Sequence, residues 1–245
     1  MKPFSFIIIA LIIFSSTACH GCFGCHDFMA RGVKGKGPTI TEQRTVSNFT
    51  GIESEIAADI SIKVGTEYAC ELEGQRNILD LIKTNVENGV LHIHCSKNIR
   101  INKGLKIRIS APAYDKLSMK GVGAITSSSP LNGDNLNIVN SGAGAIKTLD
   151  IHYKTVTAIV SGAGGIELAG DTPTADFKLS GAGNIDASNC KVANATTRVS
   201  GVGNISCFVT DTLDASVSGV GSINYKGEPK NLQSHVSGIG GIHKM

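Results

Sequence analysis

The densest group of reactive side chains is Cys19, His20, Cys22, Cys25 and His26. Cys22-Phe23-Gly24-Cys25-His26 has the CxxCH spacing of c-type haem attachment, in which two thiols take the vinyl groups and the histidine takes the iron. A haem also needs a helical pocket, yet Gly35, Gly37 and Pro38 follow in a basic, flexible linker that cannot bury a macrocycle. A Cys22 to Cys25 disulfide or free thiols is the simpler reading, and no cofactor is expected. Cys70 and Cys95 lie in two strand-like runs and pair only if those strands are neighbours, because a disulfide needs Cα atoms within about 7 Å. Cys190 and Cys207 are 17 residues apart, close to one repeat, so stacking between adjacent coils would bring them together.

Other chemistries lack parts. His92 and His94 share one face of a strand by their i, i+2 spacing, but two imidazoles are an incomplete metal site. The alternative is a polar, solvent-facing strand side with Leu91 and Ile93 inward, and no metal ligand is assigned. Asp150, Asp171, Asp176, Asp186, Asp211 and Asp214 fall at different repeat positions, so no acid/base pair or metal cradle stands out. A column of serines (Ser141, Ser161, Ser180, Ser200, Ser218, Ser237) invites a nucleophile reading, but no histidine recurs beside it to act as base. Hydroxyls bonded to one another or to corner amides explain the column more simply. No catalytic residue is assigned.

The serines belong to a repeat that organises half the chain. The motif G-x-G-x-I occurs seven times: Gly121, Gly123, Ile125; Gly142, Gly144, Ile146; Gly162, Gly164, Ile166; Gly181, Gly183, Ile185; Gly201, Gly203, Ile205; Gly219, Gly221, Ile223; and Gly238, Gly240, Ile242. The spacings are 21, 20, 19, 20, 18 and 19, the mark of a stacked array in which no unit can bury its apolar side alone. Coils ~4.8 Å apart would put the isoleucines in contact as the spine of a narrow core. The residue two before each first glycine is also apolar (Met119, Val160, Leu179, Val199, Val217, Val236), with Asn140 the exception. Val, Ala or Ile stands between the glycines, which reads as apolar positions alternating along a strand with one buried face. The glycines supply either positive φ at a corner or close backbone approach. A coil of ~19 residues at ~3.3 Å each has a perimeter of ~60 Å, which suits a three-sided coil. The expected fold is all-β, a right-handed parallel β-helix of about 19–20 residues per coil; the copies are too poor in Leu for a leucine-rich horseshoe.

Residues 40–112 lack the motif but carry strand-like runs at Ile56–Val64, Tyr68–Leu72, Val90–Cys95 and Leu105–Ser110, with a helical turn or two within Asn77–Thr84. They are expected to form irregular first coils and a charged cap, ahead of the seven repeats in 113–245; together 40–245 make a single β-helix domain. The last copy stops at Met245, so that end is either an exposed edge or an interface, and end-to-end self-association is one expectation.

Upstream, Lys2 precedes an apolar run from Phe4 to Phe14, too short to cross a bilayer, so 1–18 reads as a signal peptide. Ser16-Thr17-Ala18-Cys19 resembles a bacterial lipobox, with Ser16 in place of the usual Leu. Cleavage before Cys19 and its acylation are expected, with 19–39 as anchor and linker; ordinary cleavage leaving a free Cys19 is the alternative. The net charge of +3 in 245 residues is too small for nucleic-acid binding. With 41% hydrophobic and 18% charged residues, the chain can fold as one domain.

Residues 44–245 resemble the bacterial family of the autotransporter adhesin head domain, or GIN domain, common in exported proteins of the Bacteroidetes type. The resemblance rests on Thr45-Val46-Ser47-Asn48-Phe49, the serial Ser-Gly-Ala-Gly-x-Ile copies, and Asn224-Tyr225-Lys226-Gly227-Glu228-Pro229. It implies a right-handed β-helix in an exported protein, often a lipoprotein. An autotransporter also needs a C-terminal membrane barrel, and with repeats running to Met245 secretion by that route is not expected.

These readings converge on an exported, lipid-anchored, non-catalytic β-helix acting as an adhesin or cell-envelope interaction scaffold. It would be an outer-membrane lipoprotein on the periplasmic face or cell surface, with a surface glycan or protein as partner. The alternatives are a polysaccharide lyase or hydrolase, since such enzymes also use β-helices, and a small metal- or haem-binding envelope protein.

Overall fold

Alternation of inward apolar and outward polar side chains runs through nearly every strand from Gly51 onward, and it closes the chain around one continuous core built of stacked columns. The computed structural model describes residues 32–100 and 104–245. The expected signal peptide, Cys19 and the Cys22–His26 group lie outside the described residues. The strands are β1 (Val33–Lys34), β2 (Thr39–Arg44), β3 (Gly51–Ser54), β4 (Ala57–Val64) and β5 (Ala69–Gln75), then helix α1 (Arg76–Leu79). After it come β6 (Ile82–Glu87), β7 (Val90–Cys95), β8 (Ile99–Arg100), β9 (Lys106–Ala111), β10 (Lys116–Met119) and β11 (Val122–Ser127). The repeats form β12 (Leu131–Asn140), β13 (Ala145–Val160), β14 (Gly165–Leu179), β15 (Ala182–Val199), β16 (Val202–Val217), β17 (Val220–Lys226), β18 (Asn231–Val236) and β19 (Ile239–Lys244).

From β10 on, each coil pairs in parallel with the next, giving a β-solenoid of about six turns. Ile125, Ile146, Ile166, Ile185, Ile205 and Ile223 stand in register on successive coils and are buried, while Ile242 on the last coil is only partly covered. The column continues below the repeats through Ile60 and Ile107, which no glycine motif marks. A second column runs Met119, Asn140, Val160, Leu179, Val199, Val217. Asn140 fits there because its amide is fully used. Its Nδ2 donates to the carbonyls of Gly144 (2.8 Å) and Gly165 (3.0 Å), and its Oδ1 accepts from the Gly142 N–H at 3.2 Å.

At the N-terminal end the coils do not stack in chain order. β10 and β11 lie on β3 and β4, which lie in turn on the later strands β7 and β9. The antiparallel strands β2, β5 and β6 close this end. The other end is laid out differently: β18 and β19 pair on one side only, with β16 and β17.

Candidate binding surface

The glycine motif makes a corner whose geometry repeats on every coil. The N–H groups of Ser200 and Gly201 both donate to Leu179 O, at 2.8 and 3.1 Å, and the Val202 N–H donates to Gly181 O at 2.8 Å. The same triplet recurs at the other copies. A Cβ on Gly201 would overlap the Gly181 carbonyl oxygen, and each first glycine meets the backbone of the coil below in this way. Close backbone approach therefore governs the column of first glycines, while the second glycine of the motif also takes positive φ at Gly123, Gly203, Gly221 and Gly240, so both expected roles are used.

This corner turns two side chains of each copy outward. The six serines are exposed. So are the residues between the glycines, with Val122 52%, Val202 57% and Val220 47% accessible and Ala143, Ala163 and Ala182 between them. Alternation along a strand would have placed these apolar residues inward, and the corner, which interrupts that alternation, overturns the expectation. The serine hydroxyls do not bond to one another either. Ser141 and Ser180 Oγ make long, 3.5 Å contacts to the carbonyls of Met119 and Val160, and none of the six bonds a histidine or carboxylate among the described residues. The result is a paired ridge, hydroxyls beside Val and Ala, running along the solenoid.

The titratable groups are mostly spent on one another. His92 and His94 flank buried Leu91 and Ile93 and open on a cavity of about 290 Å³ with Glu55, Asn85 and Glu87. His92 Nδ1 lies 3.4 Å from Glu53, whose carboxylate is also held by Lys120 (2.6 Å) and Lys116 (3.4 Å). Among the described residues no group of three or more ligand-type side chains is arranged to hold a metal. Burial pushes the Glu53 carboxyl up, but the hydrogen bond and charge of Lys120, joined by Lys116, outweigh it and leave the group below its ordinary value of 4.5. A carboxyl lowered on folding stabilises the fold above its ordinary value, and that contribution is lost as pH falls through the folded value. Replacing Glu53 with Gln should therefore flatten the loss of stability below about pH 4.5, read as denaturant midpoints from pH 3 to 7.

The aspartates are likewise engaged, some across coils and some within their own strand. Arg198 lies between Asp176 (3.9 Å) and Asp214 (3.8 Å), and Lys230 holds Asp211 at 2.9 Å. Asp186 accepts from the Ser188 N–H. One grouping was missed in the sequence: His152 has Nδ1 2.5 Å from Asp171 and Nε2 3.0 Å from Asp150. Aligning the repeats would have found it, since His152 and Asp171 are register partners on adjacent coils.

All four described cysteines are free thiols. Cys70 and Cys95 cannot pair as strand neighbours, because β5 lies between β2 and β9 whereas β7 lies between β3 and β6. Cys190 and Cys207 do lie on adjacent coils, at a place where the register shifts, and remain unbridged. Burial pushes the Cys70, Cys190 and Cys207 thiols up to about 12, which keeps them protonated and unreactive near neutrality.

Residues 48–229 match the family described as "Putative auto-transporter adhesin, head GIN domain". The chain belongs to this family. A solved structure of a putative adhesin from Bacteroides fragilis is 31% identical, with a TM-score of 0.84 over 87% of this chain and all of that one. A putative adhesin from Parabacteroides merdae (21% identity, TM-score 0.71, 87% of this chain and 99% of that one) shares the fold. So does a putative lipid binding protein from Parabacteroides distasonis (24%, 0.70, 88% and 100%). No curated protein matches the sequence. None of these three structures is described as an enzyme.

Proposed function

We propose that this GIN-domain protein is an exported, lipid-anchored adhesin or envelope scaffold that binds through its long outer surface and performs no catalysis. The observation that carries the reading is the ridge of exposed serine hydroxyls and Val/Ala side chains repeated coil after coil. An apolar line kept in water at every turn serves contact with another surface, and a rigid solenoid presents it as one extended strip. Retention on immobilised mucin and matrix proteins tests the ridge. Val202→Glu with Val220→Lys, both about half exposed and register partners on adjacent coils so that the new charges are opposite in sign, should leave stability within about 0.5 kcal/mol and remove retention; undiminished retention would rule the ridge out.

Anchoring rests on Lys2, the Phe4–Phe14 run and Ser16-Thr17-Ala18-Cys19, which together support acylation at Cys19 and an outer-membrane location. Cells fed labelled fatty acid should label the wild-type protein and leave Cys19→Ala unlabelled. Cleavage of an unlabelled wild-type protein into the soluble fraction would contradict the anchor.

A further inference from the structure

We propose that a cavity of about 300 Å³ beside the corner of β12 is a binding site for a neutral sugar, one hexose or N-acetylhexosamine unit of a larger glycan. This deepens the adhesin reading and rests on it. Three stacked segments build the site. Asp115 N–H donates to Thr50 O at 2.9 Å, and Asn137 N–H donates to Asp115 O at 2.8 Å, so Thr50, Asp115 and the 132–135 corner share one edge of the solenoid.

The chemistry suits hydroxyl groups. Thr50 Oγ1 donates to Asp115 Oδ2 at 2.8 Å, which fixes that carboxylate and leaves Oδ1 to accept. Asn132 and Asn135 are exposed at the rim, and among the described residues no side chain or backbone group engages their amides, which offer both donors and acceptors. Carboxylates and amides on a rigid edge match the donor–acceptor alternation of vicinal hydroxyls. Beneath them the Tyr153 ring is pinned by a 2.6 Å hydrogen bond from its hydroxyl to the Tyr114 carbonyl. Its edge lies directly under Gly133, where a Cβ would come within 2.7 Å of Cε1. Tyr153 is only 3% exposed and belongs to the core, so it closes the floor beneath the corner and recognition falls to the polar groups above it.

Charge sets the class of sugar. None of the residues lining the cavity is a cation, and Asp134 is bound from outside it by Lys154 at 2.6 Å, leaving Asp115 as the surplus charge. An anionic sugar would meet a carboxylate and no free cation, whereas a neutral one meets only hydrogen-bonding groups. The other large cavities are less suited. In one, Arg108 is locked between Glu71 (2.6 Å) and Glu73 (2.7 Å); the other is lined by His92, His94, Glu55 and Glu87.

The test uses the full chain and an Asn132→Ala/Asn135→Ala variant, both confirmed as folded by their denaturant midpoints. Saturation-transfer NMR is run with glucose, galactose, mannose and N-acetylglucosamine, and with glucuronic and sialic acids. Retention on immobilised mucin and matrix proteins is scored in parallel. The expected result is binding of at least one neutral sugar, weaker or absent for the two acids, and weakened at least tenfold in the variant. Binding unchanged in the variant, or a preference for the acids, would overturn the site. Retention on protein with no sugar bound would overturn it while leaving the adhesin reading standing. No binding to any sugar or protein would overturn both.

Discussion

Gly201→Ala should lower the melting temperature by about 6–12 °C, the equivalent of ~3 kcal/mol in a domain of this size. The added Cβ has no rotamer to escape into, since it falls on the backbone carbonyl of Gly181 and beside the carbonyl of Ser180. Relief requires the two coils to separate at the corner, which stretches the shared hydrogen bonds from Ser200 and Gly201 to Leu179 O. Gly104 is the control, because a Cβ there meets nothing within 4 Å; Gly104→Ala should be neutral or slightly stabilising. Thermal unfolding followed by circular dichroism distinguishes the two. Equal behaviour would mean that coil spacing is not set by the glycine column.

Ile185→Ala is expected to cost ~2–5 kcal/mol, and Ile242→Ala less than about 1 kcal/mol. Both are the same residue in the same repeat position, so the difference isolates packing. Ile185 is enclosed between Ile166 below and Ile205 above. Ile242 has Ile223 beneath it and only partial cover. The three buried carbons lost from the middle of the column leave a cavity that stacked coils cannot collapse without breaking register. Denaturant midpoints for both variants check the ratio.

The repeat was readable because one side chain, isoleucine, and one small residue, glycine, recur at fixed distance, and stacking requires both. The parallel β-solenoid and the family follow from that pattern. The direction of Val202 and its counterparts was not readable from alternation alone: a corner breaks the two-residue period, and only the coil-to-coil hydrogen bonds show where. The inverted stacking at the N-terminal end was hidden for a related reason. Ile52, Ile60, Leu91 and Ile107 alternate as well as any repeat strand, but alternation carries no information about which strand lies beside which. Pairings across coils, such as His152 with Asp171 and Thr50 with Asp115, are short in space and long in sequence. The first becomes visible once the repeats are aligned in register; the second joins segments outside the glycine motif.

As proposed above, this solenoid binds and does not turn over what it binds. The most direct measurement is incubation of the full chain with an array of bacterial and host glycans and matrix proteins, scoring retention and cleavage together. Retention of at least one class is expected, with every substrate recovered intact. Cleavage of any glycan would contradict it and turn attention to the carboxylates Asp115 and Asp134 as an acid/base pair.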